Sequence, residues 1–193
     1  LNLCKLSNSN LYKNNELKYY SLGEDMFEDI MFELNKAKEF IFMEYFIIEE
    51  GVFWNSILEV LKEKASKGVL VKLIYDDIGC MQTLPGNYYK ILKKHSINAL
   101  PFSKLRGTID GEFNNRSHRK IMVIDGVVGF TGGLNIADEY INEVNKFGHW
   151  KDTGIRIKGN SVNELTRLFL IDYYLNDKKI KEYEHNANSM MQQ

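Results

Sequence analysis

From Glu24 onward the apolar residues Phe27, Ile30, Met31 and Leu34 recur at helical spacing, and the next stretch, Glu39 to Ile48, is rich in aromatic and β-branched residues. The pattern predicts a helix followed by a strand. Trp54, Ile57, Leu58 and Leu61 repeat the helical period, Gly68 sits where a helix would be capped, and Val69 to Tyr75 reads as a buried strand. A βαβ unit follows from this order. Leu84 to His95 is expected to be a helix, Ile97 to Phe102 a short strand, and Ser103 to Ser117 a loop carrying Gly107 and Gly111. His118 to Ile124 is apolar on both faces after its first three residues, as a central strand would be; Asp125-Gly126 then marks a two-residue hairpin turn into Val127 to Thr131. Asp152 to Lys158 alternates like a strand, and Leu165, Leu168, Phe169 and Tyr173 fit a closing helix over Val162 to Leu175. Strands alternating with helices predict an α/β fold: a mixed, mostly parallel sheet flanked by helices on both faces, with the Asp125 hairpin antiparallel.

Length limits the number of units. The 193 residues, 44% of them apolar and 26% charged, suffice for one well-buried domain. We expect a linker-like leader over residues 1–22, one lobe over 23–176 and a tail or linker over 177–193. The start at Leu1 and the polar, Asn-rich stretch from Ser7 to Asn15 are expected of a segment cut from something longer. Lys+Arg 25 against Asp+Glu 26 leaves no basic excess of the kind a duplex-DNA binder carries, so nucleic acid is not expected as a partner. No apolar run reaches the roughly 18 residues of a membrane-spanning helix, the best candidate, Phe40 to Ile48, being interrupted by Glu44. Cys4 and Cys80 lie in no C-x-x-C pattern and are read as reduced thiols.

If His118 lies in a strand, His118 and Lys120 project to one side and Arg119 to the other. Asp125 and then Gly132-Gly133-Leu134-Asn135 complete the pattern H-x-K-x4-D-x6-G-G-x-N. This pattern resembles the motif that defines the phospholipase D superfamily. The likeness to bacterial cardiolipin synthases extends along the chain: Met43-Glu44-Tyr45-Phe46-Ile47, the strand from Gly68 ending at Gly79, Asn114 to Ser117 before the histidine, Ile136 to Tyr140 after the glycines, and Trp150-Lys151-Asp152-Thr153. Together these cover roughly residues 22 to 175, which the resemblance makes a phospholipase D-like catalytic lobe.

The resemblance implies covalent catalysis on a phosphodiester. A neutral imidazole can attack phosphorus, and a covalent phosphohistidine divides one difficult step into two. His118 would be the nucleophile, and Lys120 would supply positive charge to the phosphoryl oxygens. Gly132 and Gly133 would let backbone N–H groups approach the phosphate, with Asn135 donating from its amide. Asp152 would hold the second ring nitrogen of His118, as carboxylates do in other histidine-centred sites. Asp125 joins the catalytic set through the motif, but an Asp-Gly turn equally fits a carboxylate bonded to backbone. Asn135 to Asp138 is also readable as a helix N-cap. His149-Trp150-Lys151 is a second H-x-K but has Arg156 where the aspartate would stand, so it is read as a decoy. The scheme requires no metal and no cofactor.

Cardiolipin synthases carry the motif twice, whereas this chain carries it once. The resemblance therefore implies an amino-terminal half that is inactive alone, completed by a second lobe of its parent chain or by a homodimer mate. The substrate would be phosphatidylglycerol, two molecules of which yield cardiolipin. The parent would sit at the cell membrane through segments of its own, with this part on the cytoplasmic side. A phosphodiesterase or nuclease completed by homodimerisation is the enzyme alternative, and a catalytically silent scaffold the non-enzyme one.

Overall fold

The structure is a computed structural model and describes residues 10–102 and 117–177. The expected loop before His118, Cys4 and most of the expected tail lie outside the described residues. In chain order the elements are β1 (Glu16–Tyr20), α1 (Gly23–Leu34), β2 (Phe40–Tyr45), α2 (Val52–Ser66), β3 (Leu70–Asp76), α3 (Tyr88–Lys93), β4 (Ile97–Phe102), β5 (Ile121–Ile124), β6 (Val128–Gly132), a 3-10 turn (Asp138–Ile141), β7 (Gly154–Lys158) and α4 (Val162–Asn176).

The strands form one seven-stranded sheet in the order β1-β7-β6-β5-β2-β3-β4. Helices cover both faces. Ile41, Met43 and Tyr45 of β2 and Met122 and Ile124 of β5 pack in the larger core with Ile30 and Leu34 of α1 and Trp54, Ile57 and Leu61 of α2. Phe42, Ile121 and Val123 face the other way, onto Phe169 and Tyr173 of α4. Trp54 is fully buried, and its indole N–H donates to the Tyr88 hydroxyl at 2.8 Å, which ties α2 to α3.

The α/β reading holds, but the sheet is not mostly parallel. Only β2–β3 and β3–β4 pair in parallel; β2–β5, β5–β6, β6–β7 and β7–β1 are antiparallel. Parallel neighbours need a crossover, and in the β2-α2-β3-α3-β4 run a helix between successive neighbouring strands supplies it. The Asp125-Gly126 turn sets β5 and β6 antiparallel; the other antiparallel pairs join strands farther apart in the chain.

Three boundaries also differ from expectation. Residues 16–20, in the expected leader, are a strand that pairs with β7 from Glu16↔Lys158 to Tyr20↔Gly154. The helix expected from Leu84 begins at Tyr88, because Pro85-Gly86 precedes Asn87, whose φ of 62° is left-handed. The strand expected from His118 begins at Ile121, so His118 to Lys120 run in irregular backbone just before β5.

Candidate active site

β2 and β5 lie side by side at the centre of the sheet, with Glu44 opposite Ile121. The residues just past the end of β2 therefore meet those just before β5. There the Phe46 ring lies 4.9 Å from the His118 ring, centroid to centroid, and the Lys120 ammonium lies 5.6 Å from the same Phe46 ring. Strand alternation cannot be what unites His118 and Lys120, since neither is in a strand, but one aromatic ring meets both.

Their surroundings differ sharply. His118 is exposed at the surface, whereas Lys120 is only 4% exposed. The ammonium donates to the His118 carbonyl oxygen at 2.9 Å, and the Lys120 carbonyl accepts from the Thr131 hydroxyl at 2.9 Å, which locks the segment to β6. Burial pushes the Lys120 pKa down to about 8, opposed by the Asp152 carboxylate nearby. A partly desolvated cation beside an exposed imidazole is suited to receiving an anion.

Asp152 stands on the segment leading into β7. Its Oδ2 accepts from the Trp150 indole N–H at 3.2 Å, and its Oδ1 accepts from the Thr153 N–H at 2.7 Å. Among the described residues no hydrogen bond joins it to His118; its electrostatic link is to Lys120. Trp150 is itself held, its N–H donating to Asn142 Oδ1 at 2.6 Å and its ring packing on Tyr140 at 4.8 Å. Asn142 has a φ of 58°, which an asparagine tolerates at this turn.

The glycine pair has a packing task that the motif did not announce. A Cβ on Gly132 would collide with the Thr153 carbonyl oxygen, and one on Gly133 with the Asp152 carboxylate. The Gly133 N–H already donates to the Thr153 carbonyl at 2.9 Å. Bare backbone here lets β6 close onto the segment carrying Asp152, while both glycines stay exposed on their outer side.

Asn135 is 4% exposed; its Oδ1 accepts from the Ile47 N–H at 3.1 Å, and its amide donates to the Tyr140 hydroxyl at 2.8 Å. It clamps the chain after β2 to the chain after β6 and caps no helix. The cap belongs to Asp138, whose carboxylate accepts from the Val52 N–H at 2.9 Å and the Phe53 N–H at 2.8 Å at the start of α2.

Asp125 lies at the opposite end of β5 from His118. Its Oδ1 accepts from the Glu39 and Phe40 N–H groups and its Oδ2 from that of Lys38, all at 2.9 Å. With three backbone partners it anchors the start of β2, and the fold does not bring it to the site. These bonds are those of a carboxylate bonded to backbone, as the Asp-Gly turn equally allowed. His149 and Lys151 are exposed on the loop before Asp152. Sequence reasoning missed the roles of Phe46 and Thr131, and nothing local to either residue signalled them.

The chain as a whole matches a known family. The family described as "Cardiolipin synthase, PLD-like domain" matches residues 30–169. The chain is 39% identical over 165 residues to cardiolipin synthase 2 of Staphylococcus epidermidis, covering 84% of this chain and 33% of that protein. It is 37% identical over 163 residues to a cardiolipin synthase of Staphylococcus aureus, with coverage of 84% and 33%. The chain thus spans about a third of the length of these relatives. Among solved structures, NucT from Helicobacter pylori superposes with a TM-score of 0.64 at 14% identity, covering 83% of this chain and 96% of that one. A phosphatidylserine synthase from Haemophilus influenzae superposes with a TM-score of 0.62 at 16% identity, covering 83% and 37%. The chain belongs to the phospholipase D superfamily, in its cardiolipin synthase, PLD-like domain family.

Proposed function

We propose that this chain supplies one half of a phosphatidyltransferase active site that makes cardiolipin from two molecules of phosphatidylglycerol. The observation that carries the reading is the exposed His118 imidazole beside the buried Lys120 cation, within a family whose relatives bear the name cardiolipin synthase. In the first step a neutral ring nitrogen of His118 bonds to phosphorus as the bond from phosphorus to the glycerol oxygen breaks. That oxygen takes a proton from an acid on the complementary lobe, and glycerol leaves. In the second step a hydroxyl of another phosphatidylglycerol gives its proton to that same group on the complementary lobe, now deprotonated, and attacks phosphorus; the nitrogen–phosphorus bond breaks, and cardiolipin departs.

Lys120 neutralises charge on the non-bridging phosphoryl oxygens in both steps. Asp152 orients the imidazole once bound phosphate draws the segment together, since hydrogen bonds of this kind often tighten only with substrate in place. Gly132 and Gly133 hold Asp152 close, and their exposed outer side leaves room for phosphate. The complementary lobe comes from the parent chain, for which relatives about three times as long as the aligned region leave room. Among the described residues no helix is long and apolar enough to cross a membrane. Membrane attachment, with this lobe on the cytoplasmic side, then falls to other parts of the parent.

The test is His118→Ala in the full parent protein with phosphatidylglycerol vesicles. The expected result is loss of cardiolipin formation and of an acid-labile phosphatidyl-histidine adduct in quenched samples; undiminished cardiolipin production would overturn the reading. The isolated lobe is expected to be inactive until the complementary lobe is added. If it instead dimerises and cleaves nucleic acid or phospholipid with water as acceptor, the homodimeric phosphodiesterase replaces this reading.

A further inference from the structure

Along β2 the side chains facing α4 are Phe40, Phe42 and Glu44, the first two stacked at 4.4 Å. The cross-strand neighbours of Glu44 are Ile74 and Ile121, both buried. A carboxyl at such a position costs stability that an apolar residue would not. Glu44 is nonetheless only 1% exposed; its Oε1 accepts from the Ser117 hydroxyl, and its Oε2 is buried with no hydrogen-bond partner among the described residues. Ser117 directly precedes His118. On the other side of His118, Arg119 pairs with Asp172 of α4.

We infer that Glu44 is a positioning residue for the reaction, its buried carboxyl holding Ser117 while the Arg119–Asp172 pair holds the other flank, so that the backbone on both sides of His118 is fixed. The segment has no strand hydrogen bonds of its own to do this, because β5 starts only at Ile121. Burial pushes the Glu44 pKa up, while the Ser117 hydrogen bond and the Arg119 charge draw it down. Either protonation state can accept from Ser117, so the hold persists when the carboxyl is neutral. This inference rests on His118 being the nucleophile.

The experiment is a double-mutant cycle in the full parent protein with Glu44→Ala, Ser117→Ala and the pair. It is read as kcat and KM with phosphatidylglycerol vesicles and, in parallel, with bis(p-nitrophenyl) phosphate. Misplacing a nucleophile by a fraction of an ångström to an ångström should lower kcat by about ten- to a hundredfold. KM should move by no more than about twofold, and the pair should be no slower than Glu44→Ala alone, as residues acting through one bond are non-additive. Glu44→Gln, which keeps an acceptor for Ser117, should recover kcat to within about threefold of the unchanged protein. A wild-type kcat in Ser117→Ala, losses that multiply, or an effect on KM alone would each overturn the inference. Should Glu44→Ala fail to fold, Ser117→Ala and Glu44→Gln decide it: a slow first and a fast second support it, and any other pair of results sinks it. Cleavage of bis(p-nitrophenyl) phosphate without any phospholipid product would refute the lipid reading, and the cycle on that phosphodiester would still judge Glu44.

Discussion

The ammonium of Lys120 donates to the main-chain carbonyl of His118 across 2.9 Å, so the two side chains of the motif are tied through backbone and not only by sharing a surface. A shift of either residue moves the other. The cation is buried while the ring is exposed, which leaves the imidazole open to solvent and keeps the charge where water screens it least.

Burial brings the Lys120 pKa to about 8, so its positive charge should fade above that pH. We predict that kcat/KM of the parent enzyme falls above about pH 8, whereas kcat holds to higher pH because bound phosphate keeps the ammonium protonated. Stability runs the other way. The folded pKa lies below the usual 10.5 of the unfolded chain, so the unfolded state binds more protons between the two values and stability rises with pH across that window. Lys120→Met should be inactive and more resistant to urea near neutral pH, an advantage that shrinks toward about pH 10. Urea midpoints of both proteins across this range check it.

Gly133→Ala should be nearly as damaging as a change in a catalytic side chain. Its Cβ would meet the Asp152 carboxylate, and the displaced carboxylate would no longer stand beside Lys120. We expect kcat to fall by at least about tenfold, since small displacements at a reacting centre are costly. Circular dichroism should remain that of the unchanged protein. Full activity would mean that the close approach has no bearing on the chemistry.

Asp125→Ala should act on stability alone. Three backbone N–H groups lose their acceptor, for a loss of about 2–4 kcal/mol, because hydrogen bonds to a charged group are stronger than neutral ones. Denaturant midpoints should fall. Activity per folded molecule, measured well below the lowered melting temperature, should be unchanged; a collapse of kcat in fully folded protein would instead assign Asp125 a part in the chemistry.

Asp138→Ala should loosen the start of α2. Removing the acceptor of the Val52 and Phe53 N–H groups should cost about 1–2 kcal/mol, the usual range for a lost helix cap. Asp138→Asn, which can still accept, should lose less than half of that. Thermal unfolding of the three proteins gives the comparison.

What the sequence disclosed, and what it withheld, follows from how far apart the partners lie. The β2-α2-β3 unit was legible because its periods are strong and local, and His118, Lys120 and the glycine pair because their spacing is fixed within one short stretch. Strand β1 was not legible: Leu17 and Tyr19 share one side, but the alternation lasts only from Glu16 to Tyr19 and both are exposed on the edge, so no buried face marks the strand. The Asp125 turn could be read, but not the N–H groups it would accept from, which lie 85 to 87 positions away. Glu44 and Ser117 are 73 apart and meet only because β2 and β5 are neighbours in the sheet. Strand order is a property of the whole chain, and no local period encodes it.

Strand β1 bears on how this lobe should be cut for experiment. It covers the outer edge of β7, where Arg156 bonds Glu16 at 2.6 Å and Asp29 of α1 at 3.1 Å. A fragment beginning at Gly23 would strip that edge, leave a row of unpaired peptide groups beside the segment that carries Asp152, and invite one copy to zip onto the next. Recombinant versions that start upstream of Glu16 should stay in solution, and those starting after Tyr20 should precipitate.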